Sequence, residues 1–129
     1  MKTYNAAIIG LGFIGAGDQI SGDALGQNVE NLDGTHYETY TNHKRIKLIA
    51  GSSRDSGRRK RFFEKAKVRT YSDWRELINN EKIDIVSIAT YTPSHEEITV
   101  ACSERGIKVI FCEKPIAPSL NAAKYMLNI

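Results

Sequence analysis

Long apolar runs and cysteines are scarce in this 129-residue sequence, and each scarcity excludes a class of protein. The longest apolar stretches, such as residues 83–89, fall far short of the ~20 residues that a membrane-spanning helix needs, so we expect no membrane partner. The two cysteines, Cys102 and Cys112, form neither a disulfide framework nor a metal-binding spacing, and both are expected in the core. Residues 1–5 lead into a strand-like segment without an apolar signal-peptide core, so we expect a cytoplasmic location.

A large excess of one charge is also lacking, since the net charge is only +3, but the charges are unevenly distributed. Residues 54–69 contain eight basic side chains against Asp55 and Glu64, so this segment carries +6 and the rest of the chain −3. The four consecutive cations at positions 58–61 would fan around a helix axis rather than line one face. This pattern favours a solvated helix surface over a nucleic-acid-binding patch, and we expect no nucleic-acid partner.

Strand-like and helix-like segments alternate along the chain. The predicted strands are residues 4–9, 46–50, 68–71, 83–89 and 108–112. The predicted helices are residues 55–66, a helix that Ser72 caps and that includes Trp74, Leu77 and Ile78, residues 94–105 ending at Gly106, and residues 119–127 capped by Ser119. This alternation predicts an α/β fold, a Rossmann-like doubly wound parallel sheet in a single domain over residues 1–129.

Two local features of this scheme are less regular. Residues 17–43 contain the helix breakers Gly22, Gly26, Asn31, Asp33 and Gly34, so we predict a shortened first helix, a loop insertion and a second short helix near residues 37–42. In the helix at 55–66, both phenylalanines, at positions 62 and 63, are expected to face the core.

A glycine-rich segment follows the first strand. Gly10, Gly12 and Gly15 match the pattern G-x-G-x-x-G, with Phe13 and Ile14 between the last two glycines. The first glycine permits a tight turn, the second lets the backbone approach a pyrophosphate, and the third lets the next helix pack closely on the sheet. Free N–H groups at the start of that helix would bind phosphate. Because no Gly-Lys-Ser/Thr follows, the segment predicts a dinucleotide site rather than a P-loop.

The end of the second strand bears on which dinucleotide is bound. A carboxylate is expected there in NAD-selective sites, yet the sequence reads Ser52, Ser53, Arg54. A hydroxyl and a guanidinium suit the 2′-phosphate of NADP better than a bare ribose, so we predict NADP slightly ahead of NAD. Arg54 could instead stack on adenine, with Asp55 acting only as a helix cap.

Glu113, Lys114 and Pro115 follow an apolar strand and make the sequence more specific. In this respect it resembles the glucose-fructose oxidoreductase/inositol dehydrogenase (Gfo/Idh/MocA) family. The resemblance covers nearly the whole chain: the loop at 10–15, residues 47–51, residues 72–77, residues 83–90, Pro93, His95, Gly106 and residues 108–115. An insertion with Thr35 and His36 before the second strand also recurs in some members.

The resemblance implies roles for individual residues. Lys114 would be the catalytic lysine near the nicotinamide and the substrate hydroxyl, and Glu113 would lie at the nicotinamide ribose. The remaining residues expected along the cofactor are Thr90, Thr92, Pro93 and His95. From the residues alone, Glu113 and Lys114 could equally be a surface ion pair, and His95 could equally pack or cap the following helix. The three histidines, at positions 36, 43 and 95, are too scattered for a metal site, and none is expected.

The sequence also departs from the family pattern. Tyr91 stands where many members have proline, so the loop beside the nicotinamide could differ in shape. The chain stops at Ile129, before the sixth strand of a full Rossmann sheet and before the second α/β domain that supplies the substrate pocket. We therefore expect these residues to bind cofactor without turning over substrate.

The function predicted from these features is NAD(P)-dependent oxidoreduction at a hydroxyl or carbonyl of a sugar, cyclitol or nucleotide-sugar. The expected partners are the dinucleotide and, in the intact protein, a carbohydrate-like substrate; a homo-oligomer stays open. The alternative is a non-catalytic dinucleotide-binding sensor. A sensor needs only the glycine loop, and the Glu113–Lys114–Pro115 sequence favours the enzyme.

Overall fold

Five parallel strands form one sheet in this protein, for which a computed structural model describes residues 1–20, 24–25, 30 and 32–129. The strands are β1 (Tyr4–Ile9), β2 (Ile46–Ser52), β3 (Arg69–Tyr71), β4 (Ile85–Ile88) and β5 (Val109–Cys112). Their order in the sheet is β3-β2-β1-β4-β5, and every pairing is parallel. The chain moves outward from β1 in both directions, which is the doubly wound Rossmann-like arrangement that the sequence predicts.

The helices connect successive strands. They are α1 (Phe13–Ala16), α2 (His36–Thr41), α3 (Ser56–Ala66), α4 (Trp74–Asn80), α5 (His95–Glu104) and α6 (Leu120–Leu127), and a 3₁₀ turn spans Thr92–Ser94. Ser119 caps α6 by accepting a hydrogen bond from the backbone N–H of Ala122, as expected from the sequence. Gly106, with a φ of +78°, follows the end of α5, also as expected. Within the described ranges, no helix combines the length and apolar character required to span a membrane.

Two buried clusters lie on opposite faces of the sheet. Side chains alternate along a strand, so Ala7 and Ile9 of β1 face one cluster while Ala6 and Ile8 face the other. The first cluster includes Leu77 of α4, and further members come from α5. The second is covered by the helices α2 and α3. Helices on both faces explain why β1 and β4 read as continuous apolar runs.

The strand register brings four chain positions to one edge of the sheet. Ile9 pairs with both Ser52 and Ile88, and Ile88 pairs with Cys112. The residues that immediately follow these strand ends therefore lie side by side: Ser53, Gly10, Ala89 and Glu113, in spatial order. Their backbone N–H groups continue the ladder, for example from Gly10 to the Ser52 carbonyl at 2.9 Å and from Glu113 to the Ile88 carbonyl at 2.9 Å. Ligands of open α/β sheets bind at this carboxyl edge.

Phe63 and the start of α4 differ from the prediction. Phe62 is buried, but Phe63 is 52% exposed, because adjacent helix residues point about 100° apart and only one of them can face the sheet. The N-cap of α4 is Asp73 rather than Ser72, since the Asp73 carboxylate accepts the hydrogen bond of the Arg75 N–H at 2.9 Å. A carboxylate at this position caps the helix as well as a hydroxyl does.

The first helix is short, as predicted. α1 is a single turn that ends at Gly17, where φ is +70°. A second short helix, α2, then begins at His36, one residue before the predicted start, and Thr35 caps it. The breakers predicted at Gly22, Gly26 and Asn31 lie outside the described residues.

Candidate functional site

The glycine loop after β1 is compact because two of its residues lack side chains. Gly10 has a φ of +102°, and a Cβ on it would lie 2.5 Å from the Ala89 carbonyl oxygen. A Cβ on Gly15 would clash with the carbonyl oxygen of Gly10. The backbone of the loop therefore folds tightly against itself and against the end of β4, as a dinucleotide-binding turn requires.

The middle of the loop begins α1. Gly12 is buried and is the N-cap residue, and its carbonyl accepts the N–H of Ala16 at 3.0 Å. Phe13 is half-buried, and Ile14 is 43% exposed at the surface of the loop. Because α1 is a single turn, the loop offers a phosphate its backbone N–H groups rather than the dipole of a long helix. Binding of a pyrophosphate by this loop would therefore depend on the positions of its backbone N–H groups.

The end of β2 is a separate polar corner. The hydroxyl of Ser53 accepts the N–H of Asp55 at 3.2 Å, and the Asp55 carboxylate accepts the N–H of Arg58 at 2.8 Å as the N-cap of α3. Asp55 is thus engaged by its own helix. Arg59 donates to the Ser53 carbonyl at 2.7 Å and ties the corner to α3.

Arg54 lies exposed in this corner and makes no ion pair with any described residue. No carboxylate other than Asp55 immediately follows β2 in the sequence. The corner therefore exposes the Arg54 side chain to solvent and also contains the Ser53 hydroxyl. That combination is suited to an anionic group.

Two other basic side chains of α3, Arg61 and Lys65, are held by contacts within the protein. Arg61 makes a two-pronged ion pair with the carboxylate of Asp18, with both distances at 2.8 Å, and so anchors the segment after α1. Lys65 donates to the Ala16 carbonyl and lies 4.2 Å from the centroid of the Tyr37 ring. Burial lowers the pKa of Lys65, opposed by the charges of Glu38 and Asp18. Arg61 and Lys65 therefore hold the end of α1 and the residues after it, next to the glycine loop, against α3.

The segment after β4 carries Thr90, Thr92 and Pro93, three of the residues expected along the cofactor. Ser94 donates to the Tyr91 carbonyl at 2.7 Å, and the Thr90 hydroxyl lies 2.7 Å from the Ser94 hydroxyl. Thr92 and Pro93 form the 3₁₀ turn that leads into α5. The turn places Thr90 beside the glycine loop, since the Thr90 nitrogen borders the space next to Gly10.

His95 is completely buried at the start of α5. Its Nδ1 lies 2.9 Å from the carbonyl oxygen of Pro115, and its Nε2 lies 2.9 Å from the carbonyl oxygen of Thr90. The ring has no surface left for a cofactor, so the direct contact expected from the resemblance does not fit this geometry. The alternative role, packing of the helix start, does fit, because the ring joins the segment after β4 to the segment after β5.

Glu113 and Lys114 follow β5 at the same edge. Lys114 is exposed, and the Lys114–Pro115 peptide bond is cis. The Glu113 carboxylate accepts the Lys114 N–H at 3.3 Å and lies 2.8 Å from Nε2 of His36. Burial alone would raise the pKa of Glu113, but hydrogen bonding and attraction from His36, with the backbone N–H and ammonium of Lys114, outweigh it and lower that pKa.

His36 is only one of three scattered histidines in the sequence, yet the structure brings it to the site. It contacts Glu113 from 77 residues away along the chain, and its other nitrogen lies 2.7 Å from the hydroxyl of Ser87 on β4. No local pattern encodes a contact over that separation. The one available signal is the Thr35–His36 pair before the second strand, whose threonine caps α2 and thereby orients the histidine.

Neither cysteine has the character of a nucleophile. Cys102 is fully buried in α5, and burial raises its pKa to about 12. Cys112 at the end of β5 is half-buried rather than fully buried as predicted, and burial is also the largest cause of its raised pKa. The described residues contain no group of three or more His, Cys, Asp or Glu side chains arranged to hold a metal ion.

An open groove of about 720 Å³ lies elsewhere, on the outer face of α4, α5 and α6. Trp74, Glu97 and Tyr125 line it, and of the residues expected at the cofactor only Pro93 borders it. The chemistry-bearing residues instead gather at the carboxyl edge of the sheet. We take that edge, from Ser53 to Lys114, as the candidate site.

Comparison with known proteins places this geometry in a family. A family model described as "Oxidoreductase family, NAD-binding Rossmann fold" (Gfo/Idh/MocA) matches residues 4–129. The levoglucosan dehydrogenase of Pseudarthrobacter phenanthrenivorans is 31% identical over 128 residues, which are 99% of this chain and 30% of that protein. The chain thus spans about a third of the length of this curated relative.

Two solved structures are similar in fold and sequence. An oxidoreductase from Agrobacterium radiobacter in complex with NAD+, L-tartaric acid and magnesium superposes with a TM-score of 0.78 at 26% identity, over 98% of this chain and 32% of that chain. A myo-inositol 2-dehydrogenase from Lactobacillus plantarum gives a TM-score of 0.72 at 28% identity, over 98% of this chain and 32% of that chain. Together with the sheet order, the glycine loop and the Glu113–Lys114–Pro115 segment, these matches establish that the chain belongs to the Gfo/Idh/MocA oxidoreductase family, in its NAD-binding Rossmann fold.

Proposed function

We propose that this chain binds the nicotinamide dinucleotide of an oxidoreductase that acts on a hydroxyl or carbonyl carbon of a sugar, cyclitol or nucleotide-sugar. The family supports the dinucleotide, and the named activities of the relatives, levoglucosan dehydrogenase and inositol 2-dehydrogenase, support the substrate class. The observation that carries the proposal is the register of the sheet. It places the glycine loop, Thr90 and Glu113 beside one another at the carboxyl ends of adjacent strands.

The same register supports one order of the dinucleotide along the edge. The adenosine half lies at the end of β2, near Ser53 and Arg54, and the pyrophosphate lies over the loop at 10–15 after β1. The nicotinamide half then reaches the ends of β4 and β5, with Thr90, Thr92 and Pro93 along it and Glu113 at its ribose. The switch point between β1 and β4 supports a site at this edge, and the expected contact of the second strand's end with the adenosine ribose supports this direction.

Lys114 is the catalytic residue in this proposal. When bound, the nicotinamide ring supplies the acceptor or donor of the hydride that leaves or joins the substrate carbon. Lys114 moves the accompanying proton: in oxidation its amine accepts the proton of the substrate hydroxyl, and in reduction its ammonium donates one to the carbonyl oxygen. Its position after β5, next to the proposed ribose contact Glu113, supports this role.

Turnover needs more than these residues. Lys114 is exposed at an open edge, whereas hydride transfer requires a site from which water is excluded. We therefore expect the 129-residue chain to bind cofactor and to show no dehydrogenase activity when assayed with a panel of polyols and sugars. Robust reduction of NAD+ or NADP+ by the purified chain would contradict the expectation that turnover needs a closed site, which these residues do not supply.

We propose that NADP is preferred over NAD. Arg54 is exposed next to Ser53 in the sequence, while Asp55, the carboxylate that follows it, accepts the N–H of Arg58 as the cap of α3. The 2′-phosphate of NADP would therefore have a cation available at the end of β2. A charge-assisted contact of this kind contributes about 1.5–3 kcal/mol, or about tenfold to a hundredfold in affinity.

Titration of NADPH and NADH against matched variants tests this preference. We expect NADPH to bind more tightly to the wild type, Arg54→Ala to narrow the gap, and added salt to narrow it as well, because the contact is ionic and exposed. Lys60→Ala, which removes an exposed cation from α3, is the control and should leave the gap nearly unchanged. Equal or tighter binding of NADH to the wild type would defeat the proposal and leave Arg54 as an adenine-stacking residue.

A further inference from the structure

A chain of hydrogen-bonding groups runs from the carboxyl edge into the core. Oε1 of Glu113 lies 2.8 Å from Nε2 of His36, and Nδ1 of His36 lies 2.7 Å from Oγ of Ser87. The Ser87 hydroxyl is in turn bonded to the phenol of Tyr40. The four groups come from the end of β5, the first turn of α2, the middle of β4 and the last turn of α2, so the contacts connect three separate parts of the chain.

Burial increases along this chain. The side chains of Glu113 and His36 are 30% and 17% exposed, whereas Ser87 and Tyr40 are buried in the core. Burial raises the pKa of Tyr40, opposed by its contact with Ser87, so the phenol stays protonated at neutral pH. A proton that entered at Glu113 would reach no solvent at Tyr40. These hydrogen-bonded groups therefore do not conduct protons to solvent, and their role is to orient Glu113.

With the ring of His36 in its neutral form, the hydrogen bonds have one consistent set of directions. An ionised carboxylate only accepts, so Nε2–H of His36 donates to Glu113. In the neutral ring Nδ1 is then an acceptor, and Ser87 donates to it. The Ser87 oxygen accepts from the phenol of Tyr40. Every donor thus points toward the edge, and the two buried hydroxyls select the one tautomer of His36 that binds Glu113.

The Glu113 carboxylate is held at a second point. It also accepts the backbone N–H of Lys114 at 3.3 Å, through Oε2, while the Glu113 N–H continues the sheet ladder to Ile88 at 2.9 Å. Each carboxylate oxygen therefore has a donor on its inner side and retains lone pairs for hydroxyl groups at the open edge. A carboxylate fixed in this way loses little rotamer freedom when it binds a diol.

We propose that His36 is a positioning residue that holds Glu113 toward the nicotinamide-side ribose, with Ser87 and Tyr40 selecting its tautomer. The inference rests on the proposed dinucleotide site and goes beyond it by assigning a role to a residue that contacts neither the cofactor nor the substrate. Its consequence is selective: loss of His36 weakens contacts to the second ribose and leaves the adenosine and pyrophosphate contacts intact.

ADP and ADP-ribose separate these contacts, because they differ by the second ribose alone. Calorimetric titration of the wild type is expected to give tighter binding of ADP-ribose than of ADP. In His36→Ala the affinity for ADP-ribose should fall about tenfold, the loss expected for one hydrogen bond to a charged group, while that for ADP stays unchanged. His36→Gln, which keeps an N–H donor, should recover most of the difference. His43→Ala, an exposed histidine just after α2, is the matched control and should change neither affinity.

The outcomes distinguish the inference from the function on which it rests. If the wild type binds ADP-ribose no better than ADP, the proposed ribose contact fails, and the role of His36 fails with it. If the wild type discriminates but His36→Ala discriminates equally well, or loses both ligands equally, the positioning role alone is overturned. Should His36→Ala not fold, His36→Asn is decisive, because its shorter side chain cannot reach Glu113 and should show the same selective loss.

Discussion

The two ends of the candidate site are built differently. At the β2 end, formed by Ser53, Arg54 and Asp55, the contacts are local and span two to six residues of sequence. At the β5 end, formed by Glu113 and Lys114, the supporting contacts of His36 and His95 span 77 and 20 residues. The first end is an exposed corner added to a helix start, whereas the second is built into the core.

This difference separates two tasks. A locally built, exposed corner can exchange one cofactor phosphate contact for another with little effect on the fold, so selectivity can change there. An end held by one buried histidine, His95, and one partly buried histidine, His36, keeps Glu113 in one geometry, and substitutions there should cost stability as well as binding. Substitutions at each end, and in the loop between them, test this division.

The glycine loop joins the two ends, so its disruption should have the largest effect. Gly12→Val places a branched side chain where the pyrophosphate must approach, and we expect loss of detectable binding of both NADH and NADPH by calorimetry. Gly34→Ala is the control, because a Cβ on Gly34 meets nothing within 4 Å. Unchanged affinity in a folded Gly12→Val variant would make the loop purely structural.

The next largest difference should be in stability: a substitution at the β5 end should destabilise the fold more than one at the β2 end. His95→Leu replaces a fully buried ring that lies within hydrogen-bond distance of the Thr90 and Pro115 carbonyls, and the loss of its N–H donor should lower the free energy of unfolding by about 2 kcal/mol. Asp55→Ala, the corresponding change at the β2 end, removes an exposed helix cap and should cost only about 1 kcal/mol. Urea denaturation measures both. Equal costs would remove the distinction between a local and a core-supported end.

The pH dependence that Glu113 gives to the free energy of unfolding should be a smaller effect than either of these. Its folded pKa is lowered, so its contribution to stability is fully present above the unfolded value of about 4.3 and is lost as pH falls through the folded pKa. The stability difference between wild type and Glu113→Gln should therefore be largest near neutral pH and shrink on acidification below about pH 4.3. Glu104→Gln, at the exposed end of α5, controls for loss of a carboxylate. A difference that grows as pH falls would contradict the lowered pKa.

Much of the fold follows from local patterns in the sequence. β1 has the predicted bounds, 4–9, because a short apolar run that ends at a glycine turn is typical of a buried strand. The other strands end within two residues of expectation, and Ser119 and Gly106 mark helix ends as predicted. The prediction is wrong where neighbouring residues compete for one role, as with Phe62 and Phe63 for the core or Ser72 and Asp73 for the cap.

The site was only partly predictable for a different reason. The loop at 10–15, Ser53 and Glu113 could be placed at one edge because parallel strands end together. His36 had no predicted role and His95 had two alternative ones, since their roles depend on contacts with Ser87, Glu113 and Pro115 that only the tertiary fold creates. Supporting contacts of this kind leave no spacing signal in the chain.

We propose that one dinucleotide spans the edge, with its adenosine at the β2 end and its nicotinamide at the β5 end. The most direct test is an amide NMR titration of the ¹⁵N-labelled chain with two cofactor halves, adenosine 2′,5′-bisphosphate and reduced nicotinamide mononucleotide. We predict that the first shifts the amides of Ser53, Arg54 and the glycine loop, and that the second shifts those of Thr90, Glu113 and Lys114. Shifts that map both halves to the same end, or to the groove beside Trp74 and Tyr125, would contradict the account.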